Sequence, residues 1–309
     1  MIYIMCPYRG ISGGPENLHQ LNDMLLSLNI PSRMIYLLGG SPMRGGKHEM
    51  FSYLDTGEES YGIKDEPGNA VVIPEIYTNL QVDAPTTNLF CRLTHIRRYI
   101  WWLRGHRPDK TDLFTITPHI PIAECDYIKE TLSHFSDRVP ILSEYIDPWW
   151  HTRAERVDLS KKENLIAYNP KRNLDGIKQI SKMVSEFRFE PIQDMSREDV
   201  GDLLSRCKVF LDLGGHPGKD HLPREAATLH CCVLTSRHGA TGPKDMPILG
   251  QFKFDTSQES ELERCVENIR MCFEDYEKVD ECFNGYRKHI REQKDIFRQE
   301  VESIFGGYR

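Results

Sequence analysis

The stretch Val209–Thr235, VFLDLGGHPGKDHLPREAATLHCCVLT, constrains the fold of this chain more than any other. Its apolar run Val209, Phe210, Leu211 and Leu213, closed by Gly214 and Gly215, predicts a strand buried on both faces, as strands of parallel sheets are. A polar loop follows, holding His216, Pro217, Gly218, Lys219, Asp220 and His221. Pro223 to Leu229 then reads as a helix with proline near its first turn, and Cys231 to Thr235 as the next strand. A β-loop-α-β unit puts its loop at the carboxyl edge of the sheet, where N–H groups at the helix start face any bound anion. The stretch therefore predicts an α/β fold with a ligand site in this loop.

The remainder of the chain reads as the same plan twice. Ile2 to Met5 is a first strand, followed by a loop with Gly10, Gly13 and Gly14 and a helix from Glu16 to about Leu28, whose Leu18, Leu21, Leu25 and Leu28 share one face. Paired glycines let a backbone approach a ligand closely, and an ordinary tight turn also favours them. Arg33 to Leu38 and Ala70 to Ile73 are the next strands, separated by a long polar excursion over Gly39 to Gly68. Glu75 follows the third strand directly, where ligands bind in such sheets; a solvated loop acid is the plainer alternative. Strands are expected at Tyr99–Leu103, Phe114–Thr117 and Val139–Leu142, with a helix around Ala123–Phe135. Glu144 to Val157 breaks the alternation, which sets the expected domains at 1–157 and 158–290, with 291–309 a final helix packing back on the first domain. In the second half, strands are expected at Leu165–Tyr168, Phe187–Ile192 and Phe252–Phe254, and helices at Ile177–Val184, Asp199–Ser205 and from Ser260 to Phe305. Ser196 stands where it caps the second of these helices, with Asp199 completing a short capping box.

Composition narrows the partners. With 309 residues and 39% hydrophobic residues the chain can build two cores. A formal charge of -7 argues against a nucleic-acid partner, although Arg97, Arg98, Arg104, His106 and Arg107 form a local basic patch. Nine cysteines without metal-ligand spacing suit a reducing cytoplasm, and no apolar run reaches the roughly 18 residues of a membrane span.

Lys171 and Arg172 directly follow the first strand of the second half, and Lys219 and Arg224 belong to the loop and helix of the Val209 stretch. Cations gathered at one sheet edge suit a diphosphate, since Arg can grip two oxygens at once. Glu225 can accept hydrogen bonds from the two hydroxyls of a ribose, as acidic residues do in dinucleotide-binding domains. Taken singly, each of these residues also reads as a solvated charge, and Glu225 as a favourable helix N-terminal acid. Gly13, Gly14, Gly215 and Gly218 are the positions where the two loops can approach a ligand.

These features also carry a resemblance. Two successive Rossmann-like halves, the early GGPE loop, the basic YNPKR turn and the ending PREAATLHCCVLTS resemble GT-B glycosyltransferases of bacterial polysaccharide assembly, of the family 1/4-like kind. The resemblance covers nearly the whole chain. It implies two Rossmann-like domains facing across a cleft, a nucleotide-diphosphate sugar bound by the second, and a saccharide or lipid-linked saccharide acceptor bound by the first. With cations and helix-start N–H groups stabilising the leaving diphosphate, transfer needs no metal and no cofactor beyond the donor, and no DxD pair in a suitable loop argues for one. The expected place is the cytoplasm, peripheral to the inner face of the membrane when the acceptor is lipid-linked. Trp101 and Trp102 with Arg97, Arg98 and Arg104 would then form a docking edge, against the plainer reading of the tryptophans as core. By likeness Glu225 matches the ribose glutamate and Lys171 and Arg172 the basic pair on the diphosphate. The retaining pattern has a second glutamate eight positions before the first, where this chain has Pro217, with His216 and Asp220 beside it. His216 and Asp220 are thus candidates to touch sugar or phosphate, and Glu75, Glu16 and His19 are candidate bases on the acceptor side. Two other readings stand beside this one: a non-catalytic sugar- or nucleotide-binding module or subunit of a polysaccharide-assembly complex, and a nucleotide-sugar epimerase.

Overall fold

The computed structural model describes residues 1–79, 93–104 and 119–309. The chain divides into two compact units, residues 1–145 with 293–309, and residues 146–292.

In the first unit, β1 (Ile2–Pro7) is central because it is apolar on both faces. Ile2, Ile4 and Cys6 pack with Leu18, Leu21 and Leu25 of α1 (Gly13–Ser27), while Tyr3 and Met5 join the opposite core with Ile35, Leu37, Val71 and Ile73. This is the two-residue alternation of a strand covered on both sides. β1 pairs in parallel with β2 (Ser32–Leu38), which carries the short antiparallel β3 (Ser41–Met43) at the sheet edge. On the other side come β4 (Ala70–Pro74), β5 (Arg97–Trp102) and β6 (Ile120–Ala123), all parallel, followed by α2 (Asp126–Ser133). The order β3-β2-β1-β4-β5-β6 is that of a doubly wound sheet. Each fully buried Ile or Leu in such a core contributes about 1.5–3 kcal/mol, more than an exposed ion pair does.

Three expectations change here. α1 begins at Gly13, so Gly13 and Gly14 are its first residues and not a loop ahead of Glu16; Pro15 fits because first-turn N–H groups have no partner within the helix. Trp101 and Trp102 are 0% and 3% exposed, with Trp101 Nε1 donating to the Leu142 carbonyl at 3.0 Å, so they are core and not a docking edge. Val139–Leu142 contributes only an isolated bridge, Ala123 to Ile141, and no strand of its own. The expected strand Phe114–Thr117, and His106 and Arg107, lie outside the described residues.

The second unit opens with α3 (Pro148–Ala154) and continues with β7 (Glu163–Tyr168), α4 (Leu174–Met183), β8 (Arg188–Pro191), α5 (Arg197–Arg206) and β9 (Cys207–Asp212). Then come α6 (His221–Thr228), β10 (Cys232–Ser236), β11 (Lys253–Phe254), α7 (Glu259–Glu274), α8 (Tyr276–Glu281) and α9 (Asn284–Phe305). Its sheet is parallel throughout in the order β11-β10-β9-β7-β8. The capping box at the start of α5 is formed in full: Asp199 N–H donates to Ser196 Oγ and Ser196 N–H to Asp199 Oδ2, both at 3.1 Å.

The units divide at Tyr145–Ile146 and not after Val157. Asp147-Pro148 is a helix start, with Asp147 Oδ1 accepting from Trp149 N–H at 2.8 Å, and Trp150 enters the core of the second unit. The return to the first unit falls within α9, from Gln293 rather than from 291. Phe297, Val301 and Phe305 join the core behind β1, and Glu300 accepts from the backbone and hydroxyl of Ser143 at 2.7 and 2.6 Å.

Candidate functional site

The carboxyl edge of the second sheet is assembled by register. Asp212 at the end of β9 lies opposite Thr235 on β10, and Leu211 lies opposite Tyr168 at the end of β7. Beyond Tyr168 the chain turns through Asn169–Asn173. Asn169 Oδ1 accepts from Lys171 N–H at 3.1 Å, and Asn173, at positive φ, caps α4 through Gly176 N–H at 3.2 Å. Lys171 is thereby left exposed at the edge, and Arg172 is sent across Gly214, where an added Cβ would sit 2.7 Å from Arg172 Cβ.

Arg172 is the hub of the loop after β9. Its guanidinium donates to Asp220 Oδ1 at 2.7 Å and to the Gly215 carbonyl. Asp220 also accepts, at 2.7 Å, from Nδ1 of His216. His216 Nε2 lies 2.8 Å from Thr235 Oγ1, which also reaches the Asp212 carbonyl at 3.0 Å. Burial pushes the Asp220 carboxyl up, but the His216 hydrogen bond and the charges of His216, Arg172 and Arg224 outweigh it and hold the group below its ordinary range. Gly239 seals the loop from the far side. Its φ is +85°, and a Cβ there would come within 1.8 Å of the His216 carbonyl oxygen, so only glycine lets the two segments bridge.

The expected site residues therefore separate by position. Lys171 is exposed, and Arg172 keeps donors beyond the two it spends on Asp220 and Gly215. Gly215 is exposed, Gly218 is buried in the loop and Lys219 is half-buried. Glu225 is half-buried on the second turn of α6. Arg224 departs from expectation: it is 1% exposed, with Nε donating to the Asp220 carbonyl at 3.1 Å and Nη2 to the Lys219 carbonyl at 3.4 Å. It is a clamp inside the loop, not a cation presented at the edge. His216 departs likewise, being 1% exposed with both ring nitrogens engaged inside the loop. It joins Asp220 to Thr235 and ties the loop to the strand edge. Although Asp220 is the N-cap of α6, its side chain makes no capping hydrogen bond and serves Arg172 and His216 instead.

Two residues of this edge escaped sequence reading. Asp212 is fully buried, with Oδ1 unpartnered and Oδ2 3.5 Å from Asn169 Nδ2, and burial raises its pKa. An acid closing an apolar run, as in VFLD, is the signal that could have found it. His289 on α9 has its pKa lowered by burial and then by Lys219 and Arg224, a proximity that no local pattern announces.

At the carboxyl edge of the first sheet, Glu75 is 4% exposed and accepts from Leu103 N–H at 3.2 Å. Leu103 in turn packs against Gly14, so Glu75 and the start of α1 share a neighbour. Glu124, which follows β6 as Glu75 follows β4, is also buried and accepts from Asn17 Nδ2 at 3.3 Å; it was readable by the same rule. Glu16 accepts from the Tyr53 hydroxyl at 2.6 Å. His19, the other candidate base, is enclosed in the core of the first unit. It is 1% exposed, its Nδ1–H donates to the Pro15 carbonyl at 2.6 Å, and its Nε2 accepts from the Tyr36 hydroxyl at 2.9 Å. Burial lowers its pKa to about 4, the Pro15 hydrogen bond opposes that shift, and the charge of Lys47 adds to it.

The architecture is that of the GT-B glycosyltransferases, two Rossmann-like α/β units in one chain. HepE of Anabaena, solved in complex with UDP-glucose, is similar over 98% of this chain and 98% of its own, with a TM-score of 0.63 and 10% identity. A glycosyltransferase from Rickettsia africae matches over 99% and 97%, with a TM-score of 0.60 and 12% identity. TarM of S. aureus matches 79% of this chain with a TM-score of 0.60 and 10% identity, and the match spans only 56% of the TarM chain. No family model matches the sequence, and no curated protein does. Among the described residues no helix is long and apolar enough to cross a membrane.

Proposed function

We propose that this protein is a glycosyltransferase that moves a sugar from a nucleotide-diphosphate donor to a hydroxyl of a saccharide or lipid-linked saccharide, without a metal ion. The observation that carries this reading is the carboxyl edge of the second sheet, where exposed Lys171, loop-anchored Arg172 and the start of α6 surround the HPGKD loop. In a GT-B fold that edge suits the donor, and the HepE structure in complex with UDP-glucose supports the same ligand class.

As the bond from the sugar C1 to the diphosphate oxygen breaks, the electron pair leaves with the diphosphate. Lys171 and Arg172 meet the growing charge, with Arg172 aimed in advance by Asp220 and Gly215. Glu225 accepts from the ribose hydroxyls. On the acceptor side Glu75, buried and held by Leu103 N–H, takes the proton of the attacking hydroxyl in an inverting reaction. The eight described cysteines are all free thiols, which suits a reducing cytoplasm.

The internal engagement of His216 and Asp220 favours a second reading, a nucleotide-sugar-binding module without turnover. Incubation with a panel of nucleotide sugars, with and without a chelator, separates the two. The transferase reading expects slow release of nucleoside diphosphate that persists in chelator. Binding with no release under any acceptor would establish the module, and loss of release in chelator would remove metal independence.

A further inference from the structure

The first unit carries a cavity at the opposite edge of its sheet. At the amino ends of β4, β5 and β6, away from Glu75 and Leu103 at the carboxyl ends, lies a cavity of about 710 Å³. It is bounded by the Pro67-Gly68-Asn69 turn, by Thr94 to Arg98, by His119 and Ile120, and by the last turn of the chain with Ile304 and Tyr308. The nucleotide-sugar reading uses none of these residues.

The lining is unbalanced in charge. Among the described residues it contains Arg97, Arg98, His95 and His119 and no Asp or Glu, in a chain whose formal charge is -7. Asp65, which lies behind this turn, is already occupied: its carboxylate accepts from the N–H groups of Thr94, His95 and Ile96 at 2.7, 2.9 and 2.8 Å and pairs with His95 at 3.2 Å. It therefore fixes the backbone of Thr94–Ile96 and is engaged with the His95 ring. Arg97 is exposed, and the neighbouring hydroxyls of Tyr99 and Tyr308, themselves 3.3 Å apart, raise its pKa; among the described residues it meets no carboxylate. Neutral hydroxyl neighbours do not cancel the charge of a guanidinium, whose planar fork can grip two oxygens of an anion.

We propose that this cavity binds a phosphate-bearing organic molecule, with Arg97 gripping the phosphate and Arg98 and His119 sharing its charge. Several bases around one cavity suit a dianionic group better than a lone carboxylate. The volume is in the range of small-molecule sites and exceeds what a bare phosphate fills, so Ile120, Ile304 and Pro67 wall the organic part. A soluble phosphate ester and the headgroup of an anionic lipid present the same chemistry, and the test separates them.

Calorimetry with inorganic pyrophosphate is run on the full chain carrying Lys171→Ala and Arg172→Ala, so that the candidate donor edge contributes nothing. Sedimentation of the same protein with phosphatidic acid vesicles forms the second arm. Arg97→Gln is then added; its exposed position spares the core, and Arg97→Lys serves as the charge-retaining control. The proposal expects binding in at least one arm, weakened about tenfold by Arg97→Gln and less by Arg97→Lys. Pyrophosphate binding identifies a soluble ligand, and binding to vesicles alone identifies a headgroup. Absence of binding in both arms, or binding that Arg97→Gln leaves unchanged, overturns the proposal.

Discussion

His19 and His216 are equally buried, each with both ring nitrogens occupied, yet they belong to different kinds of structure. His19 sits between a backbone carbonyl and a tyrosine hydroxyl, with the ring of Phe51 4.8 Å away, and burial holds it neutral. His216 faces a carboxylate that also holds Arg172, in a loop at the carboxyl edge of a parallel sheet. Burial alone therefore says little about a histidine. The charge of its partner and its place in the topology decide whether it fills a core or organises a site.

The largest effect that separates the two should come from acid. His19 has an ordinary pKa of 6.5 that the fold lowers to about 4, so the unfolded chain binds the extra proton between these values. Its contribution is fully present above pH 6.5 and is lost as pH falls toward 4, amounting to about 3 kcal/mol. Urea unfolding at pH 7 and pH 4 should show this loss in the wild type and a shallower dependence in His19→Gln. Equal slopes would mean that His19 is already charged in the fold.

A smaller loss is expected at the other histidine. Asp220→Asn leaves Arg172 and His216 without their carboxylate and should cost about 2 kcal/mol, less than a fully enclosed pair because the Asp220 side chain is 27% exposed. An unchanged urea midpoint would show that the loop does not depend on this network. Smallest of all is Asp212→Asn. Burial raises the Asp212 pKa, so the charged form penalises the fold and stability falls as pH rises from the ordinary carboxylate range through the raised value. Replacing Asp212 with Asn should remove that fall, a gain within about 1 kcal/mol at pH 8. A loss at pH 8 would instead mean that the ionised carboxylate is stabilised.

Much of the fold was legible because strands covered on both faces are continuous apolar runs. IYIM, VFLDL and CCVLT name themselves, and Ser196 with Asp199 announces a helix start. The domain boundary was less legible, since Asp147-Pro148 looks like a linker until Trp150 is seen in the second core. At the carboxyl edge of the second sheet Lys171, Arg172 and Asp220, and at that of the first sheet Glu75, were readable as candidates from their place after strands. What could not be read was direction. Arg224 turns inward because the carbonyls of Lys219 and Asp220, in its own loop, need donors; composition treats it like any exposed arginine. The pairing of Thr235 with Asp212 depends on strand register, which no local pattern encodes.

The central claim is that the carboxyl edge of the second sheet holds a nucleotide diphosphate. Lys171 tests it most directly, being exposed and outside the hydrogen-bond network that holds the loop. Calorimetry of the wild type and Lys171→Ala should show about tenfold weaker binding of a nucleoside diphosphate with nucleoside binding unchanged. Equal losses for both ligands, or no loss for the diphosphate, would contradict it.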